Sequence, residues 1–557
     1  MKVSQRPSLG EPVPSRPHAV SVQLETWKDI VGLGLGDTQM LAALQYGYPR
    51  SIVHKSVKVQ LSIRCRDILH QKHAHDSVML FGSVTAASRC RDYILTAKGD
   101  KQADVRPSSI LLYLIEALPH PGPNCHDQAT DVLYAVVYPQ NAAVLAAAFW
   151  RLSGTGLSSR QAEDCLRKQV DLRPMPFDLF RTRPSPIALH PVYDALRSRI
   201  AGLVERTVPT LPRPNNVTNS DVFLYPSGMS SIYHVHQLLL KWRAGETAIL
   251  GFSYELTIKM METYGPGLHF YSLGTDADLD QLASHLEQIP PEGRKVQAIW
   301  CECPSNPLLR TVNFRRVRQL ANKHNLVVVV DETIGSFANV DVLDVADIVI
   351  SSLTKSFNGY GDVLAGSVIL NPNSVYYTEL HGRLSASYVN TLYVKDAIQL
   401  EINSRNFLSR TARTNETAFY LVNRLISLVD DPASPVAAVY YPSVCWSVEN
   451  YREKMRPATA DFIPGYGCLF TIRFEDVPSA TLFFNNFHVC KGPSFGVDVT
   501  IALPYVQMVL QKQKDWARRN GLEETIVRVA IGLEERAEIW NHMETALAAT
   551  SMGWKQT

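Results

Sequence analysis

The sequence has no long apolar run. Its most lipid-like stretch, NAAVLAAAFW at 141–150, is far shorter than the ~20 residues a bilayer-spanning helix needs, so no membrane partner is expected. The opening MKVSQRPSLGEPVPSRPHAV carries no apolar segment, which predicts no secretory signal. Charge imbalance is missing as well: 55 Lys and Arg oppose 53 Asp and Glu, a net charge of +2 over 557 residues. Such a chain has no field to gather nucleic acid or an anionic surface, and neither is expected as a partner. Paired cysteine spacing is absent too. The nine cysteines, at 65, 90, 125, 165, 301, 303, 445, 468 and 490, are scattered, so a disulfide framework is not expected and a reducing, cytoplasmic setting fits. In that setting the sequons at Asn216 and Asn415 carry no weight. Cys301 and Cys303 lack a second pair, and His70, His73 and His75 of HQKHAH read as a solvated face, so no metal is expected.

The chain is too long for one ordinary core, and its pattern divides in three. Residues 1–170 read as irregular, with proline-rich stretches at 7–17 and 118–123, and form an extension of unassigned role. A proline-rich, linker-like run follows and ends in VPTLPRPNNVTNSD. Short β-branched runs alternating with helical patterns then place a large α/β domain at 171–372. Strands are expected at TAILGFS (247–253), HFYSLG (269–274), QAIWCECP (297–304), LVVVVDET (326–333), DIVISS (347–352) and LAGSVILNP (364–372). With helices such as DADLDQLASHLEQI and FRRVRQLANKHN between them, they imply a mainly parallel sheet wrapped by helices. Residues 373–557 carry a long helical stretch and then GCLFTIRFE (467–475) and TIVRVAIGLE (525–534), which predict a smaller α+β domain.

Ligands of open α/β sheets bind beyond the carboxyl ends of the strands. Those ends deliver Tyr254, Asn306, Asp331, Ser352, Thr354 and Lys355. YPSGMSSIYHVHQLLLKW (225–242) adds a helix opening with Ser227 as N-cap and Gly228 beside it, whose free N–H groups and dipole suit a phosphate. A phosphate cup, a carboxylate and an amine together point to pyridoxal phosphate, which needs a Schiff-base lysine, an acidic partner for its ring nitrogen and an anion site. His234 and His236 point to different faces of the helix and read as packing or surface residues. Glu302, beside PSNP, has no assigned role.

Five stretches stand in order from about 220 to 535: YPSGMSSIYHVHQ, CECPSNPLLRTV, VVVVDETIGSFANVDV, DIVISSLTKSFNGYGDVLAGSVI and ETIVRVAIGLE. Together they resemble the Cys/Met-metabolism family of fold-type-I pyridoxal-phosphate enzymes, most of all its fungal cystathionine γ-synthases. GEPVPSRPHAVSVQLETWKDIVG resembles the extension of that fungal subgroup. The resemblance implies pyridoxal 5′-phosphate as cofactor, with Lys355 as its Schiff-base lysine and proton shuttle. Asp331 would keep the ring nitrogen protonated, and Tyr254 would cover the ring and assist proton transfer. The Gly228 and Met229 amides and the Ser352 and Thr354 hydroxyls would hold the phosphate. Asn306 would lie near the ring hydroxyl and the substrate carboxylate. Arg528 would grip that carboxylate, where paired guanidinium donors suit, and Ser494 of KGPSFG would line the same pocket. Two features depart from the family. Glu332 stands where asparagine is usual, and no clean Y-x-R reaches a neighbouring subunit's phosphate, although PFDLFRTRPSP (176–186) occupies roughly that region.

The activity implied is γ-substitution on an O-acylated L-homoserine, with cysteine as nucleophile and cystathionine as product. Sulfide, or a carbon nucleophile such as acetoacetate, is an open alternative, as is a regulatory or partner-binding role for the first 170 residues. A homodimer or homotetramer is expected.

Overall fold

The computed structural model describes residues 6–45, 54, 56–69, 76–97, 105–118, 131–174, 190–206, 213–290 and 292–554. The histidines of HQKHAH and the run at 176–186 lie outside the described residues. After α1 (Trp27–Leu35) the chain forms an antiparallel sheet of β1 (Asp76–Phe81), β2 (Leu111–Leu118), β3 (Asp131–Pro139) and β4 (Gln169–Pro174), in spatial order β1-β3-β2-β4. Helix α2 (Val84–Thr96) packs on this sheet and α3 (Ala143–Ser153) packs on α2. The irregular reading of residues 1–170 is therefore corrected. LLYLIEAL and DVLYAVVYP are strands with mostly buried residues on both faces; such runs lack alternation, and the proline- and histidine-rich segment between them hides the pairing.

The central sheet has seven strands: β5 (Val222–Tyr225), β6 (Glu246–Leu250), β7 (Leu268–Tyr271), β8 (Val296–Glu302), β9 (Val327–Asp331), β10 (Ile348–Ser351) and β11 (Gly366–Leu370), in order β5-β11-β10-β9-β8-β6-β7. The run from β7 to β10 is parallel, and β11 is antiparallel to both its neighbours. Each expected strand is present within a few residues. VFLY, the β5 strand, is too short to stand out in the sequence. Helices α4 (Gly228–Arg243), α5 (Glu255–Tyr264), α6 (Asp276–Gln288) and α7 (Phe314–His324) follow the strands and cover the sheet, burying runs such as VVVV of β9 on both faces. The fold is α/β, as expected.

The C-terminal part carries the long helix α8 (Phe407–Ile426), which two shorter helices precede, and forms a five-stranded sheet of β12 (Val436–Tyr440), β13 (Leu469–Phe474), β14 (Cys490–Lys491), β15 (Ile501–Pro504) and β16 (Ile526–Ala530), in order β12-β13-β16-β15-β14. Helices α9 (Val477–Asn486) and α10 (Arg536–Trp554) pack on each other beside it. One buried cluster runs through all three regions, from Phe149 of α3 through Tyr233 of α4 to Phe470 of β13. Among the described residues every cysteine is unpaired, and no helix is long and apolar enough to cross a membrane.

Candidate active site

The parallel strands end at a cavity of about 520 Å³ between the central and C-terminal sheets. Gly228, Tyr254, Asn306, Asp331, Ser352, Lys355, Ser494 and Arg528 all line it. The end expected to hold the phosphate lies at the start of α4. Ser227 caps the helix, accepting from the Ser230 N–H at 3.0 Å. A Cβ on Gly228 would meet the Ser352 side chain at 2.7–2.8 Å, so only glycine admits this approach. Ser352 Oγ is buried with no hydrogen-bond partner. An orphaned hydroxyl facing the first turn of a helix is a cradle that suits a phosphate. Met229 and Thr354 lie buried behind it. The Thr354 hydroxyl departs from the expected role: it donates to the Ala365 carbonyl and accepts from the Ala365 N–H, which locks the lysine loop.

Asp331 ends β9. Its Oδ1 accepts from the Thr333 N–H at 2.9 Å and the Thr333 hydroxyl at 2.5 Å, and Thr333 Oγ1 in turn accepts from the Ser352 N–H at 2.8 Å. Thr333, which the sequence reading passed over, thus ties the Asp331 carboxylate to the Ser352 backbone at the start of the lysine loop. Glu302 pairs with Asp331 across β8 and β9 and was also without a role. Its carboxylate accepts the Tyr254 N–H at 2.5 Å and the Asn306 N–H at 3.0 Å, so one side chain positions two walls of the cavity. Burial, then the neighbouring Asp331, pushes its pKa well above the carboxylate range. Glu332 takes the opposite face of the strand end, buried towards Arg456 and outside the cavity lining.

Lys355 is buried, with Nζ donating to Ser494 Oγ at 2.9 Å and lying 4.7 Å from the Phe495 ring centroid. Arg528, buried in β16, donates to Asn306 Oδ1 at 3.1 Å and to the Ser494 carbonyl at 3.0 Å. Ser494 has φ +104, a conformation non-glycine residues rarely hold unless the surroundings fix it. Here they do. Ser21 Oγ donates to the Pro493 carbonyl, the Lys491 N–H to Gln23 Oε1 at 3.0 Å, and Lys491 Nζ to the Glu25 carbonyl at 2.9 Å.

The extension therefore reaches the site at both ends. Val22, Leu33 and Leu41 line the cavity and Arg151 of α3 stands on its wall. The Ser227 hydroxyl donates to the Gly154 carbonyl at 2.8 Å. Nothing in the periodicity of residues 1–170 announces these contacts; the quoted N-terminal stretch resembling the fungal extension was the one signal. His234 and His236 are packing residues of α4: His234 Nδ1 lies 2.8 Å from the Ser230 carbonyl and His236 packs on Trp300.

Comparison with known proteins matches residues 213–548 to the Cys/Met metabolism PLP-dependent enzymes and residues 59–158 to the N-terminal domain of fungal trans-sulfuration enzymes. The chain is 43% identical to alanine racemase ungC of Aspergillus violaceofuscus, over 97% of this chain and 96% of that one. It is 32% identical to a cystathionine gamma-synthase of Neurospora crassa, over 97% and 98%. The fold is shared with cystathionine gamma synthase of Xanthomonas oryzae pv. oryzae solved with aminoacrylate and cysteine, at TM-score 0.52, 20% identity, and coverage of 65% and 87%.

Proposed function

The chain belongs to the Cys/Met-metabolism PLP-dependent enzyme family, and from that premise we propose that it catalyses γ-substitution on an O-acylated L-homoserine, with cysteine as the nucleophile. One observation carries this reading: Lys355 and Arg528 both bond to Ser494, one through its hydroxyl and one through its carbonyl. A substrate α-carboxylate held by Arg528 then sets its Cα beside the Lys355 amine. Pyridoxal phosphate, held by Lys355, supplies the electron sink that makes the substrate's Cα–H acidic.

The remaining roles belong to the chain. The Lys355 amine, buried and held by Ser494, takes the Cα proton and carries protons further along the substrate as the γ-ester leaves and the thiolate adds. Asp331, fixed by Thr333, balances the charge of the protonated ring nitrogen. Ser352 and the first turn of α4 hold the phosphate, and Tyr254 and Asn306 form walls whose backbones hang from Glu302. Val22, Leu33 and Met508 also line the cavity of about 520 Å³, which leaves room for a chain beyond Cβ and for a second reactant. The family's assembly makes a homo-oligomer the expected active form.

A second reading is favoured by the 43% identity to a protein named alanine racemase. Lys355 would again take the Cα proton, and the proton would return to Cα from the opposite side, delivered by a tyrosine of the cavity wall, Tyr254 or Tyr505. Incubation with O-acetyl-L-homoserine and cysteine, and separately with L-alanine in D₂O, distinguishes the two. Cystathionine formation is the expected result. D-alanine carrying deuterium at Cα, without cystathionine, transfers the assignment to racemisation; neither product, together with no Cα exchange, overturns both.

A further inference from the structure

The amino-terminal ends of the central strands, away from the cavity, carry an unassigned cluster. Glu246 opens β6, His269 lies on the edge strand β7, and His285 lies in the last turn of α6. One ligand atom from each lies within 4.8 Å of the others. Glu246 Oε2 and His269 Nε2 are 2.7 Å apart, and the two imidazole rings are 4.1 Å apart between centroids. His285 Nε2 is closed to solvent and has no hydrogen-bond partner. A polar nitrogen that has lost water without gaining a partner costs free energy, and the ring that carries it is grouped with a carboxylate and a second imidazole.

We propose that Glu246, His269 and His285 bind one divalent cation of the zinc class. Two imidazole nitrogens and one carboxylate oxygen from three separate elements suit zinc, with a fourth position left for water. Magnesium and calcium, which take oxygen ligands, are disfavoured. For His269 to ligate through Nε2, its proton resides on Nδ1 and the Glu246–His269 hydrogen bond is replaced by two bonds to the ion. The ion would tie β7, a part-exposed edge strand, to β6 and α6. Short edge strands are weakly held on their open side, so the clip acts on stability. Because Glu246 stands at the start of β6 and the catalytic residues follow strand ends, catalysis does not depend on it.

The test uses the untagged, full-length holoenzyme stripped of loose metal by a chelator. Zinc alone is titrated against a chromophoric competitor, and cobalt(II) serves as the spectroscopic probe. Uptake of one zinc per chain, tetrahedral cobalt bands and a raised Tm are expected. Second-shell changes alone typically weaken metal binding 10–100-fold, so His285→Ala and Glu246→Gln are expected to weaken zinc at least about tenfold while activity stays unchanged. Glu246→Gln changes only a partly exposed carboxylate and keeps the test decisive if His285→Ala fails to fold. No uptake by the wild-type protein overturns the site. So does undiminished binding in the variants, which would move the zinc to other residues such as the histidines at 70, 73 and 75.

Discussion

The central sheet and the N-terminal extension both build the cavity, but with different material. The ends of the central strands contribute an amine, a carboxylate and an orphaned hydroxyl, and the C-terminal sheet adds the guanidinium of Arg528, the residue types that the proposed reaction requires. The extension contributes supporting contacts, such as the Gly154 carbonyl on Ser227, the Ser21 hydroxyl on the Pro493 carbonyl, and the apolar side chains of Val22 and Leu33. The first set supplies reactive groups, whereas the second fixes where those groups stand. The two halves should therefore respond differently to substitution, chemistry failing in one and affinity or stability in the other.

The largest effect is expected on the sheet side. On the proposed role of Lys355 as cofactor anchor and proton carrier, Lys355→Ala is expected to lose at least about a thousandfold in turnover, together with the reducible cofactor–protein bond on borohydride treatment. Arg528→Lys keeps the charge but loses the paired donors. Leaving a buried charged partner poorly met costs about 2–5 kcal/mol, roughly thirtyfold or more in kcat/KM, while cofactor content measured by absorbance stays normal. Loss of cofactor from Arg528→Lys would place the arginine at the phosphate instead and break the division between the two ends of the cavity.

Legibility follows the same division. The strand ends at Asn306, Asp331 and Lys355 were readable because β-branched runs stop abruptly at polar residues. Arg528 came from the resemblance alone, since an arginine inside TIVRVAIGLE has no pattern of its own. Thr333 and Glu302 escaped for a different reason. Each acts through another residue's backbone or carboxylate, and a hydrogen bond from Glu302 to the Tyr254 N–H spans a sequence distance that no local pattern encodes. The extension's sheet was missed because its strands are doubly buried and therefore do not alternate.

Helix α4 is the seam between the regions, with the sheet on one side and α3 on another, and acid should loosen it. His236 is fully buried there with both ring nitrogens unpartnered, and burial pushes its pKa from 6.5 down to about 4. The unfolded chain takes up the proton first as pH falls. The associated stability is thus complete above about pH 6.5 and is lost between there and pH 4. A shift of this size corresponds to on the order of 3 kcal/mol. His236→Leu should flatten that part of the pH–stability curve from denaturant unfolding. An unchanged slope would assign acid sensitivity elsewhere and leave the seam untested by charge.

The smallest effect is the one that decides whether the extension is part of the site. Gly154 holds φ +61, and a Cβ there would meet Ser227 Oγ at 2.4 Å and the Ser230 nitrogen at 2.6 Å, the two groups that close the first turn of α4. Backbone strain of this kind costs about 1–3 kcal/mol, and relief requires Ser227 to move. If the extension positions the phosphate cradle, Gly154→Ala should raise the dissociation constant of pyridoxal phosphate about tenfold, read by fluorescence titration of the apoprotein. A plain scaffold role predicts instead a lowered Tm with cofactor affinity intact. Gly82→Ala is the control, since its Cβ would find only ordinary contacts at 3.8–4.0 Å in the same extension. The contrast between these two alanines separates a wall of the active site from a domain that merely leans on it, because of the two glycines only Gly154 lies against Ser227 and Ser230 at the start of α4.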